Sequence, residues 1–236
     1  MSFGSNLLFL RKMHNNMTQE DLAEIMHVSR QTISKWESDN AYPEMEKVFE
    51  LCSFFSCSMD ELLRKDMNVS GDAYSAVHIE NVEKFKMARY AVISHDPEGD
   101  AINHMKMWAK DSGLLDVPGY ELKIIGWDFP FVNQQQINVF HMHGYAAACI
   151  LPEDFKIDCK SVEIASQDEC KYAVITIKNY KESPFDTIPN AYKIIQSYMQ
   201  VNGYNHREDD NVLPCFEYEY EKDGQDYMNV YIAIEN

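Results

Sequence analysis

Residues 18 to 36, TQEDLAEIMHVSRQTISKW, constrain this chain more than any other stretch, because they read as two short helices joined by a tight turn with a polar second helix. Thr18 is a start signal for the first helix, paired in capping-box fashion with Asp21, and Leu22, Ile25 and Met26 supply its apolar stripe. The turn falls at His27-Val28. Ser29 caps the second helix, in which Ile33 and Trp36 lie one turn apart and face inward, leaving Arg30, Gln31, Ser34 and Lys35 directed away from the core. Outward side chains of these types suit base edges and phosphates: glutamine is bidentate to adenine, arginine and lysine to guanine. Trp36, at helical spacing from Ile33, is read as core.

The stretch resembles the helix-turn-helix of the Cro and lambda-repressor type, the xenobiotic-response-element family, over residues 5 to 65. The opening helix with Leu7, Leu8 and Leu10 carries the resemblance, with the motif VSRQTISKWE, Pro43 in the following loop, and the closing helices over EKVFELCSFF and MDELLRK. It implies an all-α, five-helix domain over residues 1–66 that binds double-stranded DNA as a homodimer. Gln19 and Ser38 would touch phosphates, while Arg30, Gln31 and Lys35 would enter the major groove, with Ser34 a further DNA-binding candidate on the same outward face. His27 stands where this family's turn usually has glycine, and a histidine can adopt the left-handed conformation at modest cost.

At 236 residues the chain has room for a second domain of about 150 residues. Its six cysteines, Cys52, Cys57, Cys149, Cys159, Cys170 and Cys215, form no CxxC pair, and no secretory leader or apolar run of about 18 residues accompanies them. A cytoplasmic protein with no membrane partner is expected. The net charge is −17, but residues 1–66 hold seven Lys and Arg against eleven Asp and Glu, so −13 of it falls on the remainder. The acid lies mostly away from the reading helix, so non-specific DNA affinity should be weak and salt-dependent.

Residues 67–86 lack sustained periodicity and read as a linker, within which Ala76 to Phe85 could form a short helix. The chain then repeats itself. MARYAVISH and CKYAVITIK share Tyr-Ala-Val-Ile, and each precedes a helical stretch, AINHMKMWAKDSGLL and TIPNAYKIIQSYMQVNG. Two strand candidates follow each helix, ELKIIGWDF with GYAAACILP and PCFEYEYEK with YMNVYIAIE, the latter pair joined by the turn Asp223-Gly224. The expected fold class is therefore multidomain, an all-α five-helix domain followed by an α+β domain of two strand-helix-strand-strand repeats.

Over residues 87–236 this arrangement resembles the GyrI-like effector-binding domain, carried by KYAVITIK, the helix ending in Gly203-Tyr204, and PCFEYEYEKDGQDYMNVYIAIE. The resemblance implies a cleft between the repeats that binds a flat, hydrophobic, often cationic molecule with aromatic walls and a buried glutamate, for which Glu217 is the best match and Glu219 the next. Asn229 stands where the family often has another glutamate. Strand parity puts Phe216, Tyr218 and Tyr220 on one face and Glu217 and Glu219 on the other: both carboxylates line a cleft if the aromatic face packs on the helices, and are simply solvated if their own face is wet. A carboxylate among aromatic rings favours a cation. In GWDFPF, Trp127, Phe129 and Phe131 crowd around Pro130 as candidate walls, with Tyr145 and Tyr180 as further candidates.

No cofactor or metal is expected. His141 and His143 would share one side of a strand without a third ligand spaced with them. No phosphate loop, Ser-His-Asp order or catalytic cysteine motif stands out, so the expectation is a regulator sensing a small hydrophobic, cationic effector rather than an enzyme. The alternative is a GyrI-like hydrolase with Glu217 as general base, fused to an autoregulatory DNA-binding domain.

Overall fold

The computed structural model describes residues 2–14, 17–55, 57–64, 67, 73–156 and 161–235. Cys159, and residues 65, 66 and 68–72 around the start of the expected linker, lie outside them. The chain divides into two compact units, Met1–Val77 with Glu182–Asn205, and His78–Lys181 with His206–Glu235.

The first unit begins with five helices, α1 (Phe3–Met13), α2 (Gln19–Ile25), α3 (Arg30–Glu37), α4 (Met45–Phe54) and α5 (Met59–Leu63). Their starts are set by side chains. Ser2, Thr18 and Ser58 form capping boxes with Ser5, Asp21 and Glu61, and the Ser29 hydroxyl accepts the Thr32 N–H at 3.1 Å. Between α2 and α3 the chain reverses at His27 (φ +53°), while the Val28 N–H reaches back to the Ala23 carbonyl at 3.0 Å. The left-handed residue is thus the helix stop, performed by histidine rather than glycine. Leu7, Leu10, Leu22, Ile33, Trp36, Leu51, Phe55 and Leu62 fill the core. Ile25, expected on the inner stripe of α2, is instead exposed, because Leu22, Ala23 and Met26 already face the core and Ile25 falls off their arc.

The second unit is built on an antiparallel sheet. In chain order its elements are β1 (His78–Val82), β2 (Phe85–Ser94), α6 (Pro97–Asp111), β3 (Ile124–Asp128), α7 (Gln134–Asn138), β4 (His143–Leu151), β5 (Glu163–Gln167) and β6 (Cys170–Lys178). Then come α8 (Pro184–Asn202), which belongs to the first unit, the two-residue β7 (Asn205–His206), β8 (Cys215–Lys222) and β9 (Gln225–Glu235). Strand-helix-strand-strand occurs twice, as β2-α6-β3-β4 and β6-α8-β8-β9.

The sheet order β1-β6-β9-β8-β3-β4-β2-β5 has approximate two-fold symmetry about the β8–β3 pair. Within that symmetry the two edge strands are exchanged, β1 pairing with β6 of the second repeat and β5 with β2 of the first. This corrects the reading of residues 67–86 as a linker with a short helix: residues 78–82 form an edge strand whose partner, Cys170 to Val174, lies some ninety residues away. The β8–β9 hairpin turns at Asp223 (φ +54°) and Gly224 (φ +74°), the left-handed pair that a two-residue hairpin loop requires. Gln167, fully buried, donates to the Tyr172 hydroxyl at 2.9 Å and accepts the Leu213 N–H at 2.8 Å, pinning the end of β5 in the interior.

Candidate DNA-reading surface and effector cleft

On α3, Ile33 and Trp36 are buried, whereas Arg30, Gln31, Ser34 and Lys35 are exposed, so the polar face is free of the core that fixes the helix. Arg30 approaches Glu20 at 3.6 Å with both side chains largely in water, a pair that costs little to open. The two expected phosphate contacts are more committed. Gln19 donates its amide to Glu37 at 2.7 Å, and the Ser38 hydroxyl donates to the Ser34 carbonyl at 2.8 Å while accepting from Asn40 at 2.8 Å. The Gln19 amide carries a second N–H, so its side chain can hold Glu37 and still offer a donor to a phosphate.

This arrangement yields a prediction. Gln31→Ala should cost about 1–3 kcal/mol on a selected duplex and little on random DNA, whereas Gln19→Ala should weaken both alike. Fluorescence anisotropy on the two duplexes measures it. Equal losses for the Gln31 variant would remove its base-reading role.

The cleft lies in the second unit. Ile102 and Lys106 of α6, Leu122, Ile124, Ile125, Gly126, Tyr145, Glu217 and Glu219 line a space of about 180 Å³. Parity explains the lining: Gly126 pairs with Glu217 across β3–β8, so both lie on the same face, opposite Phe216 and Tyr218, which join the apolar core on the other side. The Tyr145 hydroxyl reaches the Glu217 carboxylate at 3.4 Å. Gly126 makes that approach possible, since a β-carbon there would sit 2.2 Å from the Tyr145 oxygen. Burial raises the Tyr145 pKa above its ordinary value, and the carboxylates of Glu217, Glu98, Glu219 and Asp128 raise it further. The hydroxyl therefore stays a donor.

Tyr180 is buried, and burial first, then the Glu219 carboxylate, raises its hydroxyl above the ordinary pKa. Glu98, in the first turn of α6, has its carboxyl raised by desolvation and then by Glu219, Asp96 and Asp128. Acid has been gathered here against its own repulsion, and a cation would relieve it. Lys106 is the one basic side chain among the lining residues.

The expected aromatic walls fare unevenly. Tyr145 lines the cleft, whereas Tyr180 does not line it. Trp127 does not, because it follows Gly126 in a strand and so projects from the opposite face, into the core with Ile125. Phe129 and Phe131 pack on each other, ring centroids 5.2 Å apart, in the segment that leaves the sheet at Pro130, and Phe131 remains 77% exposed. Neither lines the cleft. Sequence reasoning missed Glu98 and Lys106, although Glu98, Ile102 and Lys106 recur every four residues and so mark one face of α6.

The described residues contain no cluster of three or more His, Cys, Asp or Glu able to hold a metal, and no described helix is long and apolar enough to cross a membrane.

Comparison with known proteins places the first unit. The helix-turn-helix family model matches residues 7–62. The transcriptional activator BcrR of Enterococcus faecalis is 51% identical over 63 residues, 27% of this chain, and the match spans 30% of BcrR's own length. An HTH-type transcriptional regulator of Methanocaldococcus jannaschii, MJ0272, is 36% identical over 58 residues, 25% of this chain and 86% of that protein. Among solved structures, EcmrR in its complex with DNA matches 91% of this chain and 98% of its own at 11% identity, with a TM-score of 0.47. The polar helix presented by a buried Ile33–Trp36 pair and the 36% identity over 86% of MJ0272 agree: the chain belongs to the helix-turn-helix family of transcriptional regulators.

Proposed function

We propose that the chain is a one-component transcription regulator, whose helical head binds double-stranded DNA as a homodimer and whose sheet unit, a GyrI-like domain, binds a small hydrophobic cation. The observation that carries the effector reading is the pairing of Glu217 with the Tyr145 hydroxyl inside a cleft that Glu219 also lines. A carboxylate held beside a ring in a partly desolvated site gains more from a cation than from a neutral molecule of the same shape. A space of about 180 Å³ is smaller than a typical drug-sized pocket. It suits one aromatic ring or one quaternary ammonium, with the remainder of a larger ligand lying beyond Lys106.

Binding regulates only if it differs between two states of the protein, so the effector must favour one arrangement of the paired heads. The chain acts here as a sensor and not as an enzyme, and a sensor returns its ligand intact.

Calorimetric titration of phenyltrimethylammonium and of its neutral isostere tert-butylbenzene tests the reading. Glu217→Gln should weaken the cation about tenfold and leave the neutral compound nearly unchanged, about 1.4 kcal/mol of selectivity. Equal losses for the two ligands would show that Glu217 does not read charge, and chemical conversion of a bound compound would favour the hydrolase reading.

A further inference from the structure

The wall that α6 gives the cleft carries a charge of the opposite sign to its floor. The floor is the sheet, where Gly126 pairs with Glu217 across β3–β8 and Ile124 and Glu219 share their face. The wall is α6, through Ile102 and Lys106. Four residues apart, these two stand one above the other, separated by roughly 6 Å along the helix axis. The helix itself is well fixed: the Asp96 side chain caps it, Pro97 opens its first turn, and Ala101, Met105 and Trp108 on the adjoining stripe are buried in the core.

Lys106 is exposed although it lines the cleft, so its methylene stem runs along the wall and its ammonium stands at the mouth. Lys47, Lys84 and Lys181 are held by Glu50, Asp168 and Asp226 at 2.6, 2.8 and 2.6 Å, whereas Lys106 makes no ion pair among the described residues. A lysine that collapsed onto Glu217 or Glu219 would fill the cleft with its own ammonium. Kept apart, the charges leave a negative floor and a positive lip. A molecule that is only a cation meets repulsion at that lip, while one that also carries an anion a helical turn away exchanges the repulsion for attraction.

Building on the cationic-effector reading, we infer that the effector is a hydrophobic zwitterion, whose cationic group seats at Glu217 and Glu219 and whose carboxylate lies at the Lys106 ammonium. Lys106 is then the residue that separates zwitterions from plain cations. A para-substituted aromatic ring holds two such groups apart by about the rise of one helical turn, and the ring has Ile102, Leu122 and Ile124 to rest on in a space of about 180 Å³. Because the ammonium is in water, its preference is severalfold rather than large.

The experiment is calorimetry on the full chain with phenyltrimethylammonium and 4-(trimethylammonio)benzoate, which differ by one carboxylate. The wild type should bind the zwitterion at least as tightly as the cation. Lys106→Met keeps the stem and removes the charge; it should weaken the zwitterion about fivefold, the upper range for a solvated pair, and leave the cation unchanged or up to about twofold tighter. Lys106→Arg, which keeps the charge, should retain the wild-type preference. Two results overturn the inference while leaving the cationic reading intact: a wild type that binds the cation more tightly than the zwitterion, or a Lys106→Met variant that shifts both compounds by the same factor. Binding of neither compound by the wild type overturns the cationic reading and the zwitterion with it.

Discussion

Replacing Arg11 by alanine should remove about 3–5 kcal/mol from the helical unit, a large share of the roughly 5–15 kcal/mol that a small domain has. Arg11 and Glu37 are an ion pair with side chains only 9% and 6% exposed. The guanidinium holds both carboxylate oxygens, the second at 3.1 Å, and donates its remaining arm to the Met17 carbonyl, while Gln19 completes the carboxylate at 2.7 Å. Glu37 is the last residue of α3, so this one carboxylate ties the reading helix to α1 and α2. Without Arg11 it is left buried with a single neutral donor, and that uncompensated charge dominates the loss.

Urea denaturation measures the effect, and DNA binding should fall alike for selected and random duplexes. The double variant Arg11→Met with Glu37→Leu should recover much of the stability, because both charges leave together. A loss below about 1 kcal/mol for Arg11→Ala would mean that water reaches the pair and that α3 is held by Ile33 and Trp36 alone.

The contrast between this ion pair and its surroundings shows what the sequence could reveal. Caps at Thr18 and Ser29, the inward Ile33 and Trp36, and the turn at His27 are local, each set by residues within four positions, and the structure has them where the pattern puts them. Arg11 and Glu37 are 26 residues apart, and nothing in either neighbourhood announces the partner. Gln19 was legible as a polar residue at a helix start but not as a ligand of Glu37.

In the sheet unit the same rule holds. Strand parity placed Glu217 and Glu219 opposite Phe216 and Tyr218, and the Asp223-Gly224 turn was readable from two residues. Trp127 was assigned to the cleft by its aromatic company rather than by parity, and parity puts it on the other face. Two long-range features had no local signal at all. One is the exchange of β1 and β5 between the repeats; the other is the grouping of residues 182–205 with the helical unit rather than with an effector domain spanning 87–236.

Gly126→Ala should close the cleft, weakening phenyltrimethylammonium on the order of a hundredfold. The added methyl would meet the Tyr145 hydroxyl at 2.2 Å and two ring carbons at 2.7 Å, closer than any real contact allows. Tyr145 is 7% exposed and its ring is packed with Ala147, Cys149 and the residues of α6, so it has little room to withdraw. Overpacking of this kind costs about 1–3 kcal/mol, and a shift of the ring also breaks its hydroxyl contact with Glu217.

The pattern across ligands separates this from a charge effect. Gly126→Ala removes space, so tert-butylbenzene should lose affinity with the cation, whereas Glu217→Gln changes charge at nearly constant volume and should affect the cation alone. Tyr145→Phe keeps the ring and the space while removing the hydroxyl, so its neutral-ligand affinity should remain within about twofold of wild type, far inside the tenfold that 1.4 kcal/mol represents. Calorimetry on the three variants with both ligands resolves the two contributions. Retention of wild-type affinity for both compounds by Gly126→Ala would place the ligand away from Tyr145 and Glu217, and the search for the effector site would then move off this face of β3.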